Sequence, residues 1–269
     1  MALVIGCSAG TTSHATSSPT TSVFPSSTAN GLLLTSAAAP IGFEVPGAQW
    51  IEIHRPDGRS QTAAFFVPAG HGPFPLVVYL HGVSGLMQRQ LQWAPRLAAA
   101  GYLVFAGCYL AADTTSVMPP VSTLLPCTGL GPHDPSDKQA VATAYTTLVD
   151  AAKALPAAKP GPFGLVGVSN GAEVALDVVD QSLAAIVADS GFGSGPSFTG
   201  SSPILLLGGT ADPEVAHTDL VAYEQALRAA GKNVVSHYYD GAGHVVTLFP
   251  TTTDDATQRA ITFLDEHLR

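Results

Sequence analysis

Gly167-Val168-Ser169-Asn170-Gly171 is the place in this sequence where residue types and spacing first permit covalent chemistry. A serine hydroxyl is a weak nucleophile until a base removes its proton, so it needs a histidine, and the histidine an acid to orient it. Ser169 follows the apolar run Phe163 to Val168 and precedes a helix pattern that opens at Gly171. A serine between strand and helix sits on a sharp turn, and flanking glycines leave room for that turn. A second G-x-S-x-G string, Gly6-Cys7-Ser8-Ala9-Gly10, has neither strand nor helix beside it and carries no such expectation.

Among nine histidines, His244 is the candidate base. It lies in Asp240-Gly241-Ala242-Gly243-His244, a glycine-loosened loop between the strand ending at Tyr239 and the last helix. His237 falls inside that strand and reads as structural. The candidate acid is Asp212, delivered by the loop Gly208-Gly209-Thr210 after the apolar strand Ile204 to Leu207. Asp189, just past the strand ending at Ala188, is the rival acid. The chain order Ser169, Asp212, His244 is one that serine hydrolases use. A tetrahedral oxyanion needs preorganised N–H donors. The backbone of Asn170 supplies one, and Val83, in His81-Gly82-Val83-Ser84-Gly85 after the strand ending at Leu80, supplies the other. His81 reads as a loop-structuring residue rather than a base.

The elements that must position these groups alternate along the chain. Trp50 to His54 and Thr62 to Val67 read as an antiparallel hairpin around Pro56-Asp57-Gly58. Leu76 to Leu80, Tyr102 to Ala106, Phe163 to Val168, Ala184 to Ala188, Ile204 to Leu207 and Val234 to Tyr239 read as further strands, giving eight in all. Helices are expected at Met87 to Ala100, closed by Gly101, and at Ser136 to Leu155, Gly171 to Asp180, Glu214 to Ala230 and Asp254 to Leu268. Antiparallel strands followed by βα units imply a mostly parallel central sheet with helices on both faces, an α/β fold. The proline-rich stretch Gly107 to Pro135 interrupts the alternation and is expected to line or cover a pocket.

Composition bounds the rest. The chain has 269 residues, 46% apolar and 12% charged, with a formal charge of −9. That is material for a large core, and without a basic run it excludes nucleic acid as a partner. No apolar stretch reaches the 18 residues of a membrane span. No group of His, Cys, Asp and Glu has metal-ligand spacing, so metal: none. Val4-Ile5-Gly6-Cys7 resembles a bacterial lipobox with Cys7 as the lipidated residue, although no basic segment precedes it. The Ser-, Thr- and Pro-rich segment behind it suits a flexible tether. The expected division is therefore a tether over 1–40 and a catalytic domain over 41–269, in a secreted or cell-envelope protein. In that setting Cys108 and Cys127 are expected to form a disulfide closing a loop worth about 3 kcal/mol. Two unpaired thiols are the alternative. Trp93 is expected in the core, Glu173 at a helix dipole, and Asp134 or Ser136 at a helix cap.

On these residues, from about Gly42 to Arg269, the chain resembles the α/β-hydrolase superfamily, in particular its dienelactone-hydrolase-like and polyester-hydrolase-like branches. His81-Gly82-Val83, Gly167 to Gly171, Gly209-Thr210-Ala211-Asp212 and Gly243-His244 carry the resemblance. The elbow holds Ser169 where true dienelactone hydrolases have cysteine. The resemblance implies an acyl-transfer enzyme with a Ser–His–Asp triad and no cofactor. The expected substrate is a small or polymeric carboxylic ester and the expected state a monomer. An amidase or peptidase with the same triad, and a non-catalytic surface-binding lipoprotein, are the alternatives.

Overall fold

The computed structural model describes residues 26–113, 124–178, 180–195 and 200–269. Cys7 and the first part of the expected tether lie outside them. Ten strands form one sheet, in the order β1-β2-β3-β4-β6-β5-β7-β8-β9-β10. The strands are β1 Ser27–Ala29, β2 Leu32–Ala37, β3 Ala48–His54, β4 Ser60–Phe66, β5 Leu76–Leu80, β6 Leu103–Gly107, β7 Phe163–Val168, β8 Leu183–Asp189, β9 Ile204–Gly209 and β10 Val234–Tyr239. The helices are α1 Gln88–Leu91, α2 Ala94–Ala99, α3 Lys138–Lys153, α4 Asn170–Asp177, α5 His217–Ala229 and α6 Thr253–Leu268. β1 to β4 run antiparallel and β4 joins β6 antiparallel. β6, β5, β7, β8, β9 and β10 are parallel.

The parallel strands inside the sheet, β5 to β9, are buried on both faces, which is why they are apolar without alternation, whereas the edge strand β10 is half exposed. Along β5, Leu76, Val78 and Leu80 enter one core layer, with Leu148 of α3, Leu176 of α4 and Leu227 of α5. Val77 and Tyr79 enter the other, with Leu91, Leu97 and the α6 residues Phe263 and Leu264. The mostly parallel, two-faced α/β architecture is thus as expected.

Three details differ. The two strands beyond the expected eight are β1 and β2, inside the segment assigned to the tether. Leu34 is fully buried there, and β2 pairs with β3 from Leu33–His54 to Ala37–Trp50. Ordered structure therefore begins before residue 41. A Ser- and Thr-containing strand at a sheet edge looks like a linker in composition, because only the partner strand supplies its reason to be ordered. The helix expected over Met87 to Ala100 is two short helices. Pro95 lacks an N–H and its ring crowds the carbonyl four residues back, where α1 ends at Leu91. α3 is capped by Asp137, whose Oδ1 accepts from the Ala140 N–H at 2.9 Å, rather than by Asp134 or Ser136.

β5 lies between β6 and β7, so the chain leaves β5 toward one edge of the sheet and returns to β7 on the other side. Loops leaving such a switch point diverge and open a crevice at the C-terminal ends of the strands. The loops after β5, β7, β8, β9 and β10 all emerge at that edge. Among the described residues no helix is long and apolar enough to cross a membrane.

Candidate active site

The turn from β7 into α4 forces Ser169 to φ +54° and ψ −124°, a region that costs a residue with a side chain roughly 1–3 kcal/mol. The fold holds it there through the Ser169 N–H, which donates to Asp189 O at 2.8 Å, and through its carbonyl, which accepts from Ala172 N–H at 2.8 Å. The glycines follow from space. A Cβ on Gly167 would lie 2.1 Å from Gly171 O, and one on Gly171 would lie 2.3 Å from Leu80 O.

β9 delivers Asp212 and the segment after β10 delivers His244. The two loops are stitched together: Thr210 N–H donates to Tyr239 O at 2.9 Å and Ala211 N–H to Ala242 O at 3.0 Å. A Cβ on Gly209 would sit 2.1 Å from Ala242 O, so the close approach requires glycine. His244 Nδ1 is 2.8 Å from Asp212 Oδ2. The Asp212 side chain is fully buried and its other oxygen, Oδ1, accepts from the Glu214 and Val215 N–H groups at 2.8 and 3.0 Å. A carboxylate held this way fixes the Nδ1–H tautomer and leaves Nε2 to act as a base. Ser169 and His244 share no hydrogen bond among the described residues. Nε2 faces Glu214 Oε2 at 3.4 Å.

Asp189, the rival acid, does not reach His244. It is fully buried and anchors the segment after it, accepting from Val246 N–H at 3.0 Å, Thr247 N–H at 2.9 Å, Thr247 Oγ1–H at 2.6 Å and Ser190 Oγ–H at 2.9 Å. Burial pushes its pKa up, and the four hydrogen bonds oppose that shift. They also hold Val245 at φ +59° and Ser190 at φ +55°, with the Val245 N–H donating to Ser190 Oγ at 2.9 Å. Positive-φ residues thus occur in each of the loops after β7, β8 and β10.

The segment after β5 presents a second arm. His81 is fully buried, and its Nδ1 lies 2.8 Å from Gly82 O. Burial lowers its pKa to about 4, so it stays neutral and donates from Nδ1. Gly82 O also accepts from the Gly85 N–H at 3.1 Å. With that carbonyl held, the planar trans peptide aims the Val83 N–H the opposite way. Neither the Val83 nor the Asn170 N–H has an acceptor among the described residues. His81 therefore structures the loop, as its sequence context suggests.

One residue of the site escapes a sequence reading. Tyr109, 2% exposed, stacks on His81 with ring centroids 4.3 Å apart. Its hydroxyl lies 2.7 Å from His81 O and 3.0 Å from Asn170 Oδ1, linking the loop after β5 to the residue after Ser169. Its one local signal is its neighbour Cys108, which pairs with Cys127 in a disulfide spanning 5.7 Å between Cα atoms. Of the residues set aside from sequence, Trp93 is in the core, donating to Thr257 Oγ1 at 2.8 Å, and Glu173 pairs with Lys138 at 2.8 Å. No group of His, Cys, Asp and Glu among the described residues could hold a metal ion.

The comparisons with known proteins agree with this fold. The structure is similar to an esterase of Pyrococcus furiosus, at a TM-score of 0.61 and 18% identity over 82% of this chain and 93% of that one. It is also similar to a highly thermostable carboxyl esterase of Bacillus coagulans, at a TM-score of 0.64 and 13% identity over 84% and 100%. An acylaminoacyl peptidase of Pyrococcus horikoshii matches at a TM-score of 0.61 and 13% identity, over 91% of this chain and 49% of its own. No curated protein matches in sequence. The sequence profile of the dienelactone hydrolase family matches residues 62–260, nearly three quarters of the chain, and the protein belongs to that family of α/β-hydrolases.

Proposed function

We propose that this hydrolase is a serine esterase that cleaves carboxylic esters through an acyl-enzyme formed on Ser169. The observation that carries the reading is the strained elbow at Ser169, on the same sheet edge as an imidazole whose Nδ1 is engaged by a buried carboxylate. In the forward step His244 Nε2 takes the Ser169 proton as Oγ attacks the ester carbonyl. The Val83 and Asn170 N–H groups receive the oxyanion, each contributing about 3 kcal/mol in the transition state. The imidazolium, held by Asp212, then protonates the leaving alcohol. Water enters by the same route and releases the acid. The Ser169–His244 hydrogen bond is left to the substrate complex, a tightening common in apo sites.

The test is hydrolysis of p-nitrophenyl esters of increasing acyl length, with a matched anilide, by the wild type and Ser169→Ala. The variant should lose roughly 10⁴-fold or more in kcat, and an organophosphonate should label Ser169 in the wild type alone. Activity surviving in Ser169→Ala would remove Ser169 as the nucleophile. A preference for the anilide would favour an amidase.

We also propose that Cys7 carries a lipid and tethers the enzyme to a cell envelope. The Cys108–Cys127 disulfide supports an oxidising compartment for the domain. Incorporation of labelled fatty acid into the wild type but not into Cys7→Ala tests the tether.

A further inference from the structure

Glu214 stands two residues past the triad acid, and its backbone is fixed because its N–H and that of Val215 donate to Asp212 Oδ1. Its side chain is 60% exposed, yet Oε2 lies 3.4 Å from His244 Nε2. With Nδ1–H committed to Asp212, Nε2 of the neutral base presents a lone pair. Two acceptors therefore face each other, an arrangement that is favourable once a donor or a positive charge comes between or beside them. During ester cleavage Nε2 hands its proton to the leaving oxygen, so the alcohol part of the substrate must pass this atom and the carboxylate next to it.

Resting on the serine-esterase reading, we propose that Glu214 forms the alcohol-side subsite and selects esters whose alcohol moiety is cationic, disfavouring anionic ones. A unit charge a few bonds beyond the leaving oxygen approaches Glu214 to roughly 5–6 Å. At a solvent-exposed carboxylate that separation is worth about five- to tenfold in kcat/KM at low ionic strength, in opposite directions for the two signs of charge. The chain's formal charge of −9 acts in the same sense at longer range. Raising salt screens the preference, since the Debye length shrinks from about 10 Å at 0.1 M to 3 Å at 1 M.

Three acetate esters of similar size test this: acetylcholine, 3,3-dimethylbutyl acetate and the acetyl ester of 2-hydroxyethanesulfonate. They are compared for the wild type, Glu214→Gln and Glu214→Lys. The wild type should rank them cationic, neutral, anionic, Glu214→Gln should level the three, and Glu214→Lys should invert the order. Flat wild-type ratios, or variants that retain the wild-type ratios, would overturn the subsite. So would an equal fall on all three esters, which would make Glu214 an electrostatic partner of His244 alone. Phosphonate labelling of Ser169 and turnover of p-nitrophenyl acetate separate these outcomes from failure of the esterase reading. If the wild type shows neither, that reading fails and the subsite goes with it.

Discussion

Tyr109 carries a single hydroxyl proton and faces two acceptors, His81 O and Asn170 Oδ1. It ties the segments that present the Val83 and Asn170 N–H groups. Tyr109→Phe keeps the stack on His81 and removes the tie. We expect kcat to fall about tenfold with KM within about twofold, the loss of roughly one hydrogen bond's worth of positioning. An unchanged kcat with a lowered Tm would reduce Tyr109 to packing. Asp189 holds the segment that follows His244. Asp189→Asn puts an amide NH₂ where an oxygen accepts from Val246 N–H or Thr247, a donor against a donor in a buried site. It should cost about 2–4 kcal/mol in urea unfolding and lower kcat by displacing His244. The loops that carry Ser169, Asp212 and His244 were legible from sequence because each follows a strand. Tyr109 was not, since its two partners are 28 and 61 positions away.

The elements explain why those loops hold still. The turn at Ser169 exists because Gly171 lets α4 start against the end of β5, so Gly171→Ala would drive a Cβ into Leu80 O at 2.3 Å and displace the helix. The Cys108–Cys127 bridge pins the far end of the segment that begins with Tyr109. The Cys108→Ala/Cys127→Ala pair should lower stability by about 3 kcal/mol, a drop in Tm of roughly 6–12 °C measured by calorimetry. Strands buried on both faces could be read from their apolar runs, and β7 lies at the expected residues. β1 and β2 could not, because a three-residue edge strand and a leucine–threonine–serine strand beside it are defined by their pairing, β1 on β2 and β2 on β3, rather than by their own composition.

At the scale of the molecule, a sheet buried on both faces places a histidine where water cannot reach it. His81 has its pKa lowered from 6.5 to about 4 by burial. Above pH 6.5 both folded and unfolded chains keep it neutral. As pH falls from 6.5 toward 4 the unfolded chain binds a proton that the native state refuses, so stability present above 6.5 is lost through that window. The loss should approach about 3 kcal/mol by pH 4. Denaturant unfolding across pH 4–7 should show this slope in the wild type and a shallower one in His81→Asn, and equal slopes would remove His81 as its source.

Local pattern along the chain was enough to give the alternation of strands and helices and the loops that carry Ser169, Asp212 and His244. These depend on local pattern: apolar runs, glycine where a side chain has no room, and the order of elements along the chain. Long-range contacts bring Asp212 rather than Asp189 to His244, because both acids follow apolar strands and differ in which loop their carboxylate meets. The tertiary structure alone set Tyr109 across the two loops, placed Glu214 beside His244 Nε2 and drew residues 27–37 into the sheet. Each of these rests on contacts between segments far apart in the chain, which hydrophobic period and residue type do not encode.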